Sequence, residues 1–156
     1  MRRLITITIV AAFVFLTIQL IPVSRTNPPI TQDVAAPPDV EMVLRRGCYD
    51  CHSNETRWPW YAHLAPVSWL VIHDVNRGRR QVNFSTWDKY SDDPGTVIRK
   101  LKGIAKMSGN GKMPLWYYLA EHPTARLTRA DRELVARWVS GTIVVEQKIE
   151  GEQSRQ

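Results

Sequence analysis

Cys48-Tyr49-Asp50-Cys51-His52 places two thiols with two residues between them and an imidazole directly after the second thiol. The chain has no other cysteine. The spacing Cys-x-x-Cys-His is that of c-type haem attachment. Thiols so separated reach the two vinyl groups on one porphyrin edge and form thioether bonds. The next residue then lies under the iron, where His52 offers an imidazole nitrogen as proximal ligand. A thioredoxin-like redox pair, half of a zinc site and a small disulfide are the other chemistries open to such a pair. Structural zinc takes four ligands, and no second Cys-x-x-Cys is present. A thioredoxin motif sits in a βαβ unit, whose pattern this region lacks. Covalently held haem c is therefore the cofactor expected, with a dithiol or disulfide as the alternative.

The N-terminus bears on the compartment. Met1-Arg2-Arg3 is positive, and residues 4–23 are apolar apart from threonines and Gln19. A stretch of 20 residues at about 1.5 Å each covers about 30 Å, the hydrocarbon thickness of a bilayer. A cleaved signal has a shorter apolar core and ends in an Ala-x-Ala-like site. This stretch ends instead in Leu20-Ile21-Pro22-Val23-Ser24. An uncleaved transmembrane helix is expected within 1–23, with a cleaved signal as the alternative. Arginines ahead of the span hold the N-terminus in the cytoplasm. The remainder then lies on the periplasmic side of a bacterial inner membrane, where c-type haem is attached. A net charge of +6 and a pI near 9.6 suit acidic protein partners or an anionic membrane surface. The basic residues are scattered and form no nucleic-acid motif, so no nucleic-acid partner is expected.

Residues 24–38 carry Pro28-Pro29 and Pro37-Pro38 among small and polar residues, the composition of a semi-rigid tether. From Asp39 the pattern is helical: Val40, Val43 and Leu44 recur at helical spacing, and Gly47 can end the helix just before the cysteines. A helix running into Cys-x-x-Cys-His is how the first helix of a cytochrome c is built. The stretch 53–61 reads as an aromatic, proline-broken loop. A second helix is expected from Pro66 to Gly78, and a third from Asp93-Pro94 with Val97, Ile98, Leu101 and Ile104 facing inward. Opposite them, Arg99, Lys100, Lys102 and Lys106 form a solvated basic face. Leu115–Glu121 forms a short helix, and Thr128 with Asp131 opens the last one, which Gly141 ends. The fold class expected is all-α: a small helical domain over 39–145, followed by a charged, disordered tail at 146–156.

Haem iron in an electron carrier takes a second axial ligand, and the candidates are Met107, Met113, His63, His73 and His122. Met113 is best placed: it follows the glycine-rich turn 108–112, Pro114 stiffens its approach, and it precedes the C-terminal helix. Core filler is the plain alternative for a methionine. His63 and His73 read as surface residues. His122, before Pro123, reads as a cap or a hydrogen-bonding group near the pocket. Trp58, Trp60, Tyr61 and Trp69 are candidates for the pocket walls.

Gly47-Cys48-Tyr49-Asp50-Cys51-His52-Ser53-Asn54-Glu55-Thr56 resembles the bacterial haem-binding domain proteins of cytochrome c-like type. Trp58-Pro59-Trp60-Tyr61, Ala65-Pro66-Val67-Ser68-Trp69, His73-Asp74-Val75, Asn83-Phe84-Ser85 with Trp87, Met113-Pro114 and His122-Pro123 extend the likeness, over roughly 35–142. The resemblance implies a cytochrome c-like helical fold with covalent haem, held by Cys48 and Cys51, with His52 proximal and Met113 distal. The function expected is that of a membrane-anchored, periplasmic monohaem electron carrier serving redox proteins of the membrane or periplasm. A haem peroxidase-associated or sensor domain with an open distal site is the alternative.

Overall fold

The computed structural model describes residues 1–153. Among these the chain is all-helical, as expected, and the sole β pairing is one parallel bridge between Gln32 and Thr86. The helices are α1 (Arg2–Ile18), α2 (Pro38–Gly47), α3 (Tyr49–His52), α4 (Val67–Gln81), α5 (Asp88–Ser91), α6 (Pro94–Gly109), α7 (Trp116–Glu121) and α8 (Arg129–Gln153). Single 3-10 turns lie at Trp60–His63 and Pro123–Ala125.

Helix ends follow local chemistry. In α2, Pro38 stands in the first turn with Asp39 and Glu41, and Arg45 and Arg46 stand in the last, matching the helix dipole at both ends. At α6 the Asp93 carboxylate accepts from the Gly95 N–H at 3.0 Å. At α8 the Thr128 hydroxyl accepts from the Asp131 N–H at 3.1 Å, while Asp131 accepts from the Thr128 N–H at 2.8 Å. Helix α6 lies along α8, and α2 crosses both α8 and α3. Their inner faces bring together Val40, Leu44, Val97, Leu101 and Val135, with Tyr49 stacked on Phe84 at 5.1 Å. Each such aliphatic side chain contributes about 1.5–3 kcal/mol by leaving water.

Helix lengths and packing differ from several expectations. The N-terminal helix spans 17 residues and stops at Ile18, and among the described residues no helix is long and apolar enough to cross a membrane. Its end is set by Gln19, whose side chain turns to the backbone of Ala65. The stretch 24–38 is not a free tether. It is stitched to the domain, with Val34 in the core and the Thr31 and Val34 amides donating to Ser85 and Phe84 at 3.0 Å each. Gly78 does not end α4 and Gly141 does not end α8. The last helix continues because Ile143, beyond Gly141, still packs on the core. Residues 146–153 of the expected disordered tail are therefore helical, and 154–156 lie outside the described residues.

Candidate functional site

Helix α2 feeds directly into the cysteine motif. The Cys48 amide closes the last turn on Leu44 at 2.8 Å, and the Cys51 and His52 amides both donate to the Cys48 carbonyl. Neither thiol is bridged. Burial pushes both thiols up to about 12, so they stay protonated. Helix α4 packs on α3 at very short range: a Cβ on Gly78 would stand 2.3 Å from the Cys51 carbonyl oxygen. That approach brings the end of α4 to the imidazole. His52 Nδ1 lies 3.1 Å from both the Gly78 and Val82 carbonyl oxygens. Carbonyls only accept, so Nδ1 carries the proton and Nε2 is left with its lone pair. Burial lowers the His52 pKa, against the opposing pull of the two carbonyls, and keeps the ring neutral. A neutral imidazole with its second nitrogen held by an outer partner is the form in which histidine binds metal.

Beside Cys51 lies a cavity of about 310 Å³. Val67, Leu70, Val71 and Val75 of α4 line it, with Leu115, Tyr117 and Tyr118, with Trp60, Tyr61 and His122, and with the charged residues Asp50, Arg57, Asp74 and Glu121. Three pairs of its polar groups are bonded to one another. Tyr118 donates to Asp50 at 2.7 Å and Tyr117 to Asp74 at 2.7 Å. The Tyr61 hydroxyl and His122 Nε2 share a hydrogen bond of 2.8 Å. The His122 ring stacks on Tyr118 with centroids 4.3 Å apart and planes 19° from parallel. Burial raises Tyr118, and its bond to Asp50 raises it further; Tyr117 is pushed up to about 12 by burial and Asp74. Both phenols therefore remain donors. Large apolar surface is left open at this cavity, with Trp60 74% and Leu70 48% exposed.

Of the three motif residues, Cys51 lines this cavity, while Cys48 and His52 are not among its lining residues. Met113 is not among the residues lining the cavity beside Cys51. It lines a second cavity, of about 190 Å³, with Pro114, Trp116, Leu119 and Arg132, and its amide donates to Met107 at 3.0 Å. Of the expected aromatic walls, Trp60 and Tyr61 line the first cavity, while Trp58 and Trp69 do not. His63 and His73 are exposed. Sequence reading passed over Asp50, Asp74, Tyr117 and Tyr118. The one available signal was the aromatic run 116–118 directly after Met113-Pro114.

Two unbridged thiols and a neutral buried imidazole stand in one helical turn, whose Cys51 lines a cavity walled by aliphatic and aromatic side chains. The residues fit haem in donor chemistry and in the character of the walls. The chain belongs to the haem-binding domain family, whose model matches residues 13–141. Comparison with curated proteins and with solved structures gives no match.

Proposed function

We propose that this haem-binding protein is a monohaem c-type cytochrome that passes single electrons on the periplasmic face of a bacterial inner membrane. Cys48 and Cys51 hold the group by thioether bonds, His52 is its proximal ligand and Met113 its distal one, and α1 lodges in the membrane. The observation that carries the reading is the pinning of His52 Nδ1–H by the Gly78 and Val82 carbonyls, one residue after an unbridged thiol. Haem supplies a reversible one-electron couple when bound. The chain's part is to fix the imidazole and to exclude water with the aliphatic face of α4, while redox partner proteins of the membrane or periplasm exchange the electron. A thioether ligand favours the reduced metal and raises the potential relative to a second imidazole. The test is the mass of the protein matured in a strain with c-type assembly. One haem added covalently is expected, and its loss in Cys48→Ser with Cys51→Ser; an unmodified mass overturns the reading.

A second reading rests on the placement of His122. It lines the cavity beside Cys51, held by Tyr61, whereas Met113 lines the neighbouring one. With no sixth ligand from the chain, His122 would serve as a hydrogen-bonding group on an open side, as a peroxidase-associated or sensor domain needs. A weak ferric band near 695 nm, lost in Met113→Ala and kept in His122→Ala, supports the carrier. Rapid carbon monoxide binding by the unsubstituted reduced protein supports the open site.

A further inference from the structure

Residues 19–27 tie the end of α1 to one face of the domain. The Gln19 amide pairs with the backbone of Ala65 in both directions, donating to its carbonyl at 3.1 Å and accepting from its N–H at 2.9 Å. Arg25 donates to the Ala62 carbonyl at 3.2 Å. From α4, Arg79 reaches back to the Thr26 carbonyl at 2.8 Å and to Asn27 at 3.0 Å. No slack chain is left on which the domain could swing away from the helix. The face held at the end of α1 is apolar and uncovered: Leu64 is 41%, Val67 43% and Trp60 74% exposed, beside Leu20 at 82% and Ile21 at 51%. Trp60 and Val67 belong to the cavity, so bound haem accounts for part of that surface. Leu20, Ile21 and Leu64 take no part in it.

Helix α1 buries none of its side chains on the domain and exposes leucine, isoleucine, valine and phenylalanine all round. An apolar helix of that kind belongs in an apolar medium. Its 17 residues include Arg2 and Arg3, so the apolar part extends about 22 Å at about 1.5 Å each, several ångströms short of the roughly 30 Å hydrocarbon core. A short apolar segment draws its flanking residues toward the lipid.

We propose that the 60–70 face, with Leu20 and Ile21, rests in the headgroup layer of the bilayer, so that the domain rides on the lipid surface. The proposal rests on the reading of α1 as membrane-embedded. The Gln19–Ala65 pair sets the pose, and Leu64 and the amphipathic ring of Trp60 supply the contact, tryptophan being suited to that layer. Because the cavity shares Trp60 and Val67 with this face, its rim then lies at the lipid surface.

The test uses the full-length holoprotein in phosphatidylcholine vesicles, with a lipid-confined diazirine photolabel and peptide mass spectrometry. Label is expected on α1 and on 59–70. In Gln19→Ala, which leaves the cavity walls intact, label on 59–70 is expected to fall several-fold while α1 stays labelled. Label on α1 alone in the unsubstituted protein overturns the surface contact and leaves the embedding of α1 standing. Absence of label from both overturns the embedding and this proposal with it. Unchanged label on 59–70 in Gln19→Ala overturns the role of the pair in setting the pose.

Discussion

Gly78 sets the spacing between the haem motif and the helix behind it. A methyl group there would meet the Cys51 carbonyl oxygen at 2.3 Å and its carbon at 3.0 Å, both backbone atoms that cannot rotate aside. Gly78→Ala must therefore push α4 off α3, an overpacking that costs about 1–3 kcal/mol. The same residue's carbonyl receives His52 Nδ1–H, so the displacement also loosens the imidazole. The expected result is a lower melting temperature together with a lower yield of covalent haem. Gly103→Ala is the comparison: nothing lies within 4 Å of its added Cβ in mid-α6, and alanine there gains about 0.5–1 kcal/mol. If the two variants melt alike, the close approach at Gly78 is not what holds the site. In the sequence, Gly78 reads as a helix stop, because an absent side chain says nothing about what comes close to it. The thiols and His52 were legible for the opposite reason: their chemistry depends on spacing along the chain. Of the cavity walls only Trp60 and Tyr61 were legible; the α4 and α7 residues were not, since those helices meet only through the tertiary fold.

Among the helices, the junction of α2 with α8 depends on one carboxylate. Asp131 accepts from the Thr128 N–H and hydroxyl at 2.8 Å each and pairs with Arg46 of α2 at 2.6 Å. Burial alone would raise its pKa, but the Thr128 bonds and the Arg46 guanidinium hold it below the usual carboxylate value. As pH falls the unfolded chain takes up this proton before the folded one. The contribution is thus complete above the unfolded value of about 4 and is lost as pH falls through the folded value. Asp131→Ala is expected to cost about 1–2 kcal/mol at neutral pH. The gap in melting temperature should stay level at neutral and mildly acidic pH and close below about pH 4. A gap that persists undiminished in strong acid would show that the charge plays no part. The Thr128–Asp131 box, like Asp93-Pro94 at α6, was legible because a cap is written within four residues; the Arg46 pairing, 85 positions apart, was not. Gly141 misled because a glycine permits a helix to stop without requiring it, and the left-handed turn that commonly follows a helix is not made there. Among the described residues positive φ occurs at Gly111, with φ 71°, in the turn after α6. Thr142 instead bonds back to Trp138 at 2.9 Å and the helix runs on.

At the scale of the whole molecule, Arg79 joins three parts of the chain. Its guanidinium donates to the Ser53 carbonyl at 2.7 Å and the Thr56 hydroxyl at 2.9 Å in the loop after the haem motif, and to Thr26 and Asn27 of the N-terminal strap. Prolines and few apolar residues made 24–38 look like a tether, and that composition is real. Its polar groups are satisfied by residues 12 to 57 positions away, which no local pattern reports. Asn54 adds a bond to the Pro29 carbonyl at 2.8 Å, so the strap is held at several points, with Arg79 the densest of them. Arg79→Ala removes charged hydrogen bonds worth about 1.5–3 kcal/mol each where the partner stays buried. The strap carbonyls can turn to water, so the expected loss in global stability lies at the low end of that range. The larger effect falls on local opening. Arg25, bonded to Ala62 in the intact protein, should become a site of rapid trypsin cleavage in the variant, with amide exchange at Thr31 accelerated and that of the α6–α8 core unchanged. Arg79→Lys, with one compact charge in place of a planar fork, should fall between the two. Cleavage at Arg25 as fast in the intact protein as in Arg79→Ala would show the strap to be free, and the domain would then hang from α1 by the tether that its prolines suggest.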